Sequence, residues 1–276
     1  MSQISLTASM RSNLLSLQGT ADLMSKTQER LASGKKVNSA IDNPSSYYTA
    51  QSLNNRAKDL GNLLDSMGQA ISTIKAANEG IESITSFVEQ AKAVANSALQ
   101  ASTAGERVAY GKQYNALYDQ ITAIAGDSGY KGVNLINDAN ASLVVNFNEG
   151  GTNKLTIGGK NLTAAGLGLV AKMADNAEDW TGIDTASTGV IAKIDAAIST
   201  LRSAASEFGN NYSIVQTREE FTTNLINVLE EGADKLTLAD MNEESANMLA
   251  LQTRQQLAIN SLSLASQAAQ SVLKLF

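Results

Sequence analysis

A chain of 276 residues can bury a sizeable core, yet its aromatic content is 5% and it holds one Trp, so slender packing between small side chains is expected. With no Cys and no His it lacks thiol nucleophiles, imidazole bases, disulfides and the usual zinc ligands, which sets aside most enzymatic chemistry. A net charge of -6, with no basic run longer than Lys35-Lys36, argues against nucleic-acid binding, and no run of about 18 apolar residues is present for membrane insertion.

The opening segment, MSQISLTASMRSNLLSLQG, has neither a continuous apolar stretch nor a small-residue cleavage site, so no cleaved secretory leader is expected. Met10, Leu14, Leu17, Ala21, Met24, Gln28 and Leu31 then alternate steps of four and three, a heptad seam with one polar member. In ERLASGKKVNSAIDNPSSYYTAQSLNNRAK, Pro44 fixes its own φ and biases Asn43 away from helix. The first helix is therefore expected to end near Asp42 or Asn43, with Gly34 weakening it earlier. A second helix carries Leu60, Leu64, Met67, Ile71, Ile74, Asn78 and Ile81 on its seam, continuing less strictly to Ala95. A shorter one follows ASTAGE, with Ser102 or Thr103 as cap and Tyr110, Tyr114, Leu117, Ile121 and Ile124 on its seam.

The centre changes character. LVVNF and KLTIG flank a Glu-Gly-Gly-Thr-Asn turn and predict a short hairpin, and Ala171 to Thr188 reads as a loop around Trp180. Beyond it Ile194, Ile198, Leu201, Ala205, Phe208, Tyr212 and Val215 mark a long helix, extended through Phe221, Leu225, Ile226 and Leu229. Last come Met248, Leu251, Gln255, Ala258, Leu262, Ala265, Ala269, Val272 and Phe276, a seam of the same kind as the first. Two striped helices at opposite ends of a chain bury their stripes most economically against each other. The expected fold is mainly α: a coiled-coil or helical-bundle rod made by pairing the N- and C-terminal segments, with a small β-hairpin insert.

Catalytic readings are weak. Glu219-Glu220, Glu230-Glu231 and Glu243-Glu244 are adjacent carboxylates, but sequence neighbours point in different directions on a helix, so all three pairs read as solvated faces. The pairs Gly150-Gly151 and Gly158-Gly159 lack the strand and helix setting of a phosphate cradle and read as turns. Asn140-Ala-Ser142, Asn161-Leu-Thr163 and Asn211-Tyr-Ser213 match the N-glycosylation pattern and are read as chance. No catalytic, metal or cofactor residue is expected.

ERLASGKKVNSAIDNPS resembles the N-terminal signature of bacterial flagellins, with Arg30, Leu31, Ser33, Gly34, Asn38, Ser39, Ala40 and Asp42 at its characteristic positions. AISTIKAANEGIESI, AIAGDSGYKGVNLI and LADMNEESANMLALQTRQQLAINSLSLASQAAQSVLKLF continue the resemblance in order. It implies a subunit that polymerises into an extracellular filament for swimming, exported without a cleaved leader; a hook-filament junction or other exported helical appendage is the alternative. It also implies an inner terminal coiled-coil domain (1–42 with 235–276), a spoke (43–57), a helical bundle (58–131 with 186–234) and a short outer insert (132–185). Met10, Leu14, Leu17, Ala21, Met24, Leu31, Leu251, Ala258, Leu262, Ala265, Ala269, Val272 and Phe276 would then form the inter-subunit core. Pro44, Tyr47, Tyr48, Asn54, Asn55 and Arg56 would form the spoke. Implied partners are further copies of the chain, an export chaperone on the C-terminal helix and a filament cap protein. Where relatives sensed by an animal innate receptor carry Gln-Arg and a later Leu, this chain has Val88, Glu89 and Ala93, which predicts weak activation.

Overall fold

The computed structural model describes residues 8–170 and 189–273. Its elements, in order, are α1 (Ala8–Ser33), α2 (Pro44–Gln100), α3 (Ala104–Asp127), β1 (Gly129–Tyr130), β2 (Val133–Asn134), β3 (Ser142–Asn146), β4 (Lys154–Gly158), α4 (Val190–Thr237) and α5 (Met241–Leu273). The chain forms two compact units, a terminal one of Met1–Ala57 with Asn227–Phe276 and a central one of Lys58–Ile226. The expected mainly helical fold with a small hairpin is what the chain adopts.

The first helix stops earlier than Pro44 suggested. Gly34 takes φ +71, and its N–H donates to the Arg30 carbonyl at 2.8 Å, which closes α1 at Ser33. A glycine enters this left-handed cap without a Cβ penalty, so the helix ends there rather than at Asp42 or Asn43. Pro44 instead opens α2, where its missing N–H is no loss and its fixed φ already suits a helix. Asn43 caps that helix, its Oδ1 accepting from the Ser46 N–H at 3.1 Å. Of the segment 43–57 read as a polar spoke, residues 44–57 are therefore the first turns of a 57-residue helix.

The central unit has a continuous core. Met67, Ile74, Ile81, Ile84 and Val88 of α2 meet Tyr114 and Ile121 of α3, and Ile194, Leu201, Phe208 and Val215 of α4 join the same cluster. Thr103 caps α3 in a reciprocal box, accepting from the Glu106 N–H while Glu106 accepts from the Thr103 N–H. The predicted hairpin is β3 paired antiparallel to β4, with Val145 and Ile157 turned inward to complete the cluster. A second, smaller pair, β1 with β2, turns through Lys131 at φ 48 and Gly132 at φ 82. GYKGV carried that turn signal in Lys-Gly, but two-residue strands have no alternation to read. The expected loop around Trp180 lies outside the described residues.

The α4 seam also shifts. Steps of three and four from Val215 lead to Glu219, Thr222, Ile226, Leu229 and Ala233; Thr222, Leu229 and Ala233 are buried, while Phe221 is exposed. Choosing the larger side chain over the register placed Phe221 inward; the helix period places Thr222 there.

Candidate functional site

The terminal unit is built around a clamp between two chain breaks. Past Gly34 the backbone runs against the joint between α4 and α5: the N–H groups of Lys36 and Val37 both donate to the Thr237 carbonyl, at 2.8 and 3.2 Å. The Ala239 N–H returns to the Gly34 carbonyl at 2.9 Å, and Lys36 Nζ donates to the Lys235 carbonyl at 2.9 Å. Val37 is buried beneath this joint. Asp240 caps α5 through its Oδ1, which accepts from the Asn242 N–H at 2.8 Å. The end of α1 and the start of α5 are thus held side by side by backbone groups, which do not depend on side-chain identity.

One turn into each helix an ion pair crosses between them. Arg30 of α1 donates to Glu244 of α5 at 2.8 Å, and Glu244 is only 7% exposed. This corrects the reading of Glu243-Glu244 as a solvated pair: Glu243 is exposed, and Glu244 is turned inward. The signal was present, since one step of four back from Met248 on the α5 seam reaches position 244. Its partner was not legible, because Arg30 lies 214 residues away. Removing Arg30 would leave the Glu244 carboxylate buried without its partner.

Beyond the ion pair the two helices touch along a narrow line. Thr20 and Thr27 are buried, and Thr20 Oγ1 satisfies itself on the Ser16 carbonyl at 2.8 Å. Of the predicted seam, Met10, Leu17, Ala21, Met24 and Leu31 are half-buried, while Leu14 is exposed. On α5, Leu251, Ala258, Leu262 and Ala265 are half-buried; the side chains of Ala269 and Val272, and all of Phe276, lie outside the described residues. One partner helix covers only one side of a stripe wider than a strict heptad seam. Leu15 (71% exposed), Leu23, Leu249, Leu257 and Leu264 are left facing outward.

Two depressions flank the ion pair. The first, of about 480 Å³, is lined by charges of both signs, among them Lys36, Asp42, Lys235 and Asp240, and so favours no ligand of single charge. The second, of about 340 Å³, lies between α1 and α5, with Leu23, Thr27, Ala250 and Leu251 among its walls. Beside them the turn at 38–42 is tied by one carboxylate. Asp42 accepts from the N–H groups of Asn38 and Ser39, each at 3.1 Å, and pairs with Lys26 at 3.7 Å. Those bonds, that from Asn38 foremost, hold its carboxyl below the usual carboxylate range.

Among the residues read as a spoke, Tyr47 is half-buried and stacks edge-on against exposed Tyr48, ring centroids 5.5 Å apart. Asn54, Asn55 and Arg56 are exposed on the same helix, with Pro44 at its start. Of the three positions read against an innate receptor, Glu89 and Ala93 are exposed, but Val88 is sealed in the central core and cannot be touched from outside. Its burial follows from the α2 period, seven residues after Ile81. Among the described residues no helix is long and apolar enough to cross a membrane.

Compared with known proteins, residues 4–141 match the bacterial flagellin N-terminal helical region and residues 191–276 the bacterial flagellin C-terminal helical region. Flagellin FljM of Caulobacter vibrioides is 31% identical over 265 residues, covering 95% of this chain and 94% of that protein. A flagellin of Brucella melitensis is 28% identical over 274 residues, covering 95% of each. A crystal structure of Bacillus cereus flagellin aligns with 56% of this chain and 86% of that one at 19% identity, TM-score 0.47, too loosely to carry geometry across.

Proposed function

Since the chain belongs to the bacterial flagellin family and is a structural subunit of the flagellar filament, we propose that its terminal unit completes its core only against neighbouring copies, forming a homopolymer. The observation that carries this is the outward-facing leucines of α1 and α5, Leu15, Leu23, Leu249, Leu257 and Leu264, on helices whose inward faces already meet. Burying five such side chains is worth on the order of 10 kcal/mol per subunit before ordering costs are subtracted. A surface of this kind is a defect in a lone molecule and a driving force in an array. Head-to-tail contacts that do not close extend it into a helical filament.

Several finer statements belong to the same reading. The inner layer comprises 1–42 with 235–276, and the seam residues from Met10 to Leu31 and Leu251 to Phe276 form its inter-subunit core. The chain reaches the cell exterior, with α5 masked by an export chaperone until assembly beneath a cap protein. It performs no catalysis. Glu89 and Ala93 present a carboxylate and a methyl where an innate receptor would seek a cation and a larger apolar group, and reporter cells given monomer should respond weakly. A full response would remove that part.

Seeded polymerisation followed by electron microscopy tests the main proposal. The full chain should give long filaments. A variant lacking residues 1–35 should give none, while circular dichroism still reports a folded central unit. Filaments from the truncated chain would overturn the role of the terminal helices.

A further inference from the structure

Ile41 is 94% exposed, the most exposed large apolar side chain among the described residues. It does not sit on a loose loop. The Asp42 carboxylate gathers the Asn38 and Ser39 N–H groups, the Asp42 N–H donates to the Ser39 carbonyl at 3.2 Å, and the Ile41 N–H donates to Ser39 Oγ at 3.3 Å. An apolar side chain carried on a backbone already tied into a turn saves the backbone part of the ordering cost on docking, which is the character of a docking anchor.

The depression of about 340 Å³ between α1 and α5 has the complementary character. Leu23, Ala250 and Leu251 supply apolar wall, and the volume exceeds that of a butyl side chain. Its charged lining is Arg30, Glu244 and Arg254, a net +1, whereas the segment from Asn38 to Asn43 carries Asp42 alone, a net -1.

We propose that Ile41 of one subunit seats in the Leu23–Ala250–Leu251 depression of the next, as a directional contact of the filament. This rests on the filament reading above. Knob and hole are different surfaces of the same chain, so each copy offers one and receives one. Such a contact is heterologous and repeats without closing. Arg254 and the turn's single carboxylate give the two surfaces opposite charge.

The chain has no Cys, which makes cross-linking clean. Two full-length single variants, Ile41→Cys and Ala250→Cys, are mixed, polymerised from wild-type seeds, oxidised, and run on a non-reducing gel after dissociation. A covalent dimer from the mixed filaments, absent from either variant alone and lost on reduction, is expected; disulfide geometry requires Cα atoms within about 7 Å. Filaments that form normally yet give no mixed dimer overturn the contact and leave the filament reading standing. If the wild-type chain itself forms no filaments, the filament reading fails and the contact falls with it. As a second measurement, Ile41→Ser should raise the critical monomer concentration about tenfold, as expected for losing one buried isoleucine. Its monomer spectrum should be unchanged, because Ile41 touches little in the single chain, and an unchanged critical concentration would count against the contact.

Discussion

The central and terminal units are made of similar helices and use their apolar residues in opposite ways. In Lys58–Ile226 the large side chains converge: Met67, Ile81, Tyr114, Leu135, Ile157 and Phe208 are fully buried, drawn from three helices and both strand pairs or their flanks. Among the described residues of the terminal unit no buried apolar residue is larger than Leu229, and leucines on both terminal helices face water. Where three or more elements surround a stripe, every side of it is covered; where two helices meet alone, half of each stripe is left over. Self-sufficiency here is a matter of how many neighbours an element has, since the helices of both units carry comparable seams.

That contrast breaks most visibly at Phe208. Phe208→Ala should cost about 3–5 kcal/mol, measured by chemical unfolding of the monomer followed by circular dichroism. Leu257→Ala, on the outward side of α5, should change the same measurement by less than about 0.5 kcal/mol. Equal losses at the two sites would mean that the terminal unit has a core of its own. Glu244→Ala falls between them. Arg30 remains 33% exposed, so the usual cost of breaking a buried pair is discounted to about 1–2 kcal/mol, read as earlier melting of α1 and α5 alone. Melting of the central unit in step with them would show the two to be one cooperative body.

The smallest effect is set by pH. The folded turn lowers the pKa of Asp42 from its ordinary value of 3.8, so its contribution is complete above that value and is lost as pH falls through the lowered one. Amide exchange at Asn38 and Ser39 should therefore quicken, relative to exposed amides, only in strong acid. Asp42→Asn should abolish that pH dependence. Acceleration between pH 5 and 7 would point to a different group.

Much of this was legible along the chain. ASTAGE announced the start of α3 while leaving Ser102 or Thr103 open as its cap, and LVVNF with KLTIG announced β3 and β4. These are local signals whose partners lie within one turn or one hairpin. Errors arose where two local rules competed. Pro44 was a helix breaker and a helix opener at once, and only the left-handed Gly34 ten residues earlier decided which. Phe221 was the more apolar choice, but the register set by Val215 put Thr222 inside.

By itself the sequence determined the helices, their apolar seams, the hairpin and, through ordered motifs, the family, because each depends on spacing within a short window. Tertiary structure alone decided which side of each seam is covered, that Glu244 turns in to meet Arg30, that Gly34 through Val37 clamps onto Thr237 and Ala239, and that Ile41 stands free on a tied turn. Those outcomes depend on which distant element arrives alongside, and periodicity within one helix carries no record of its neighbour.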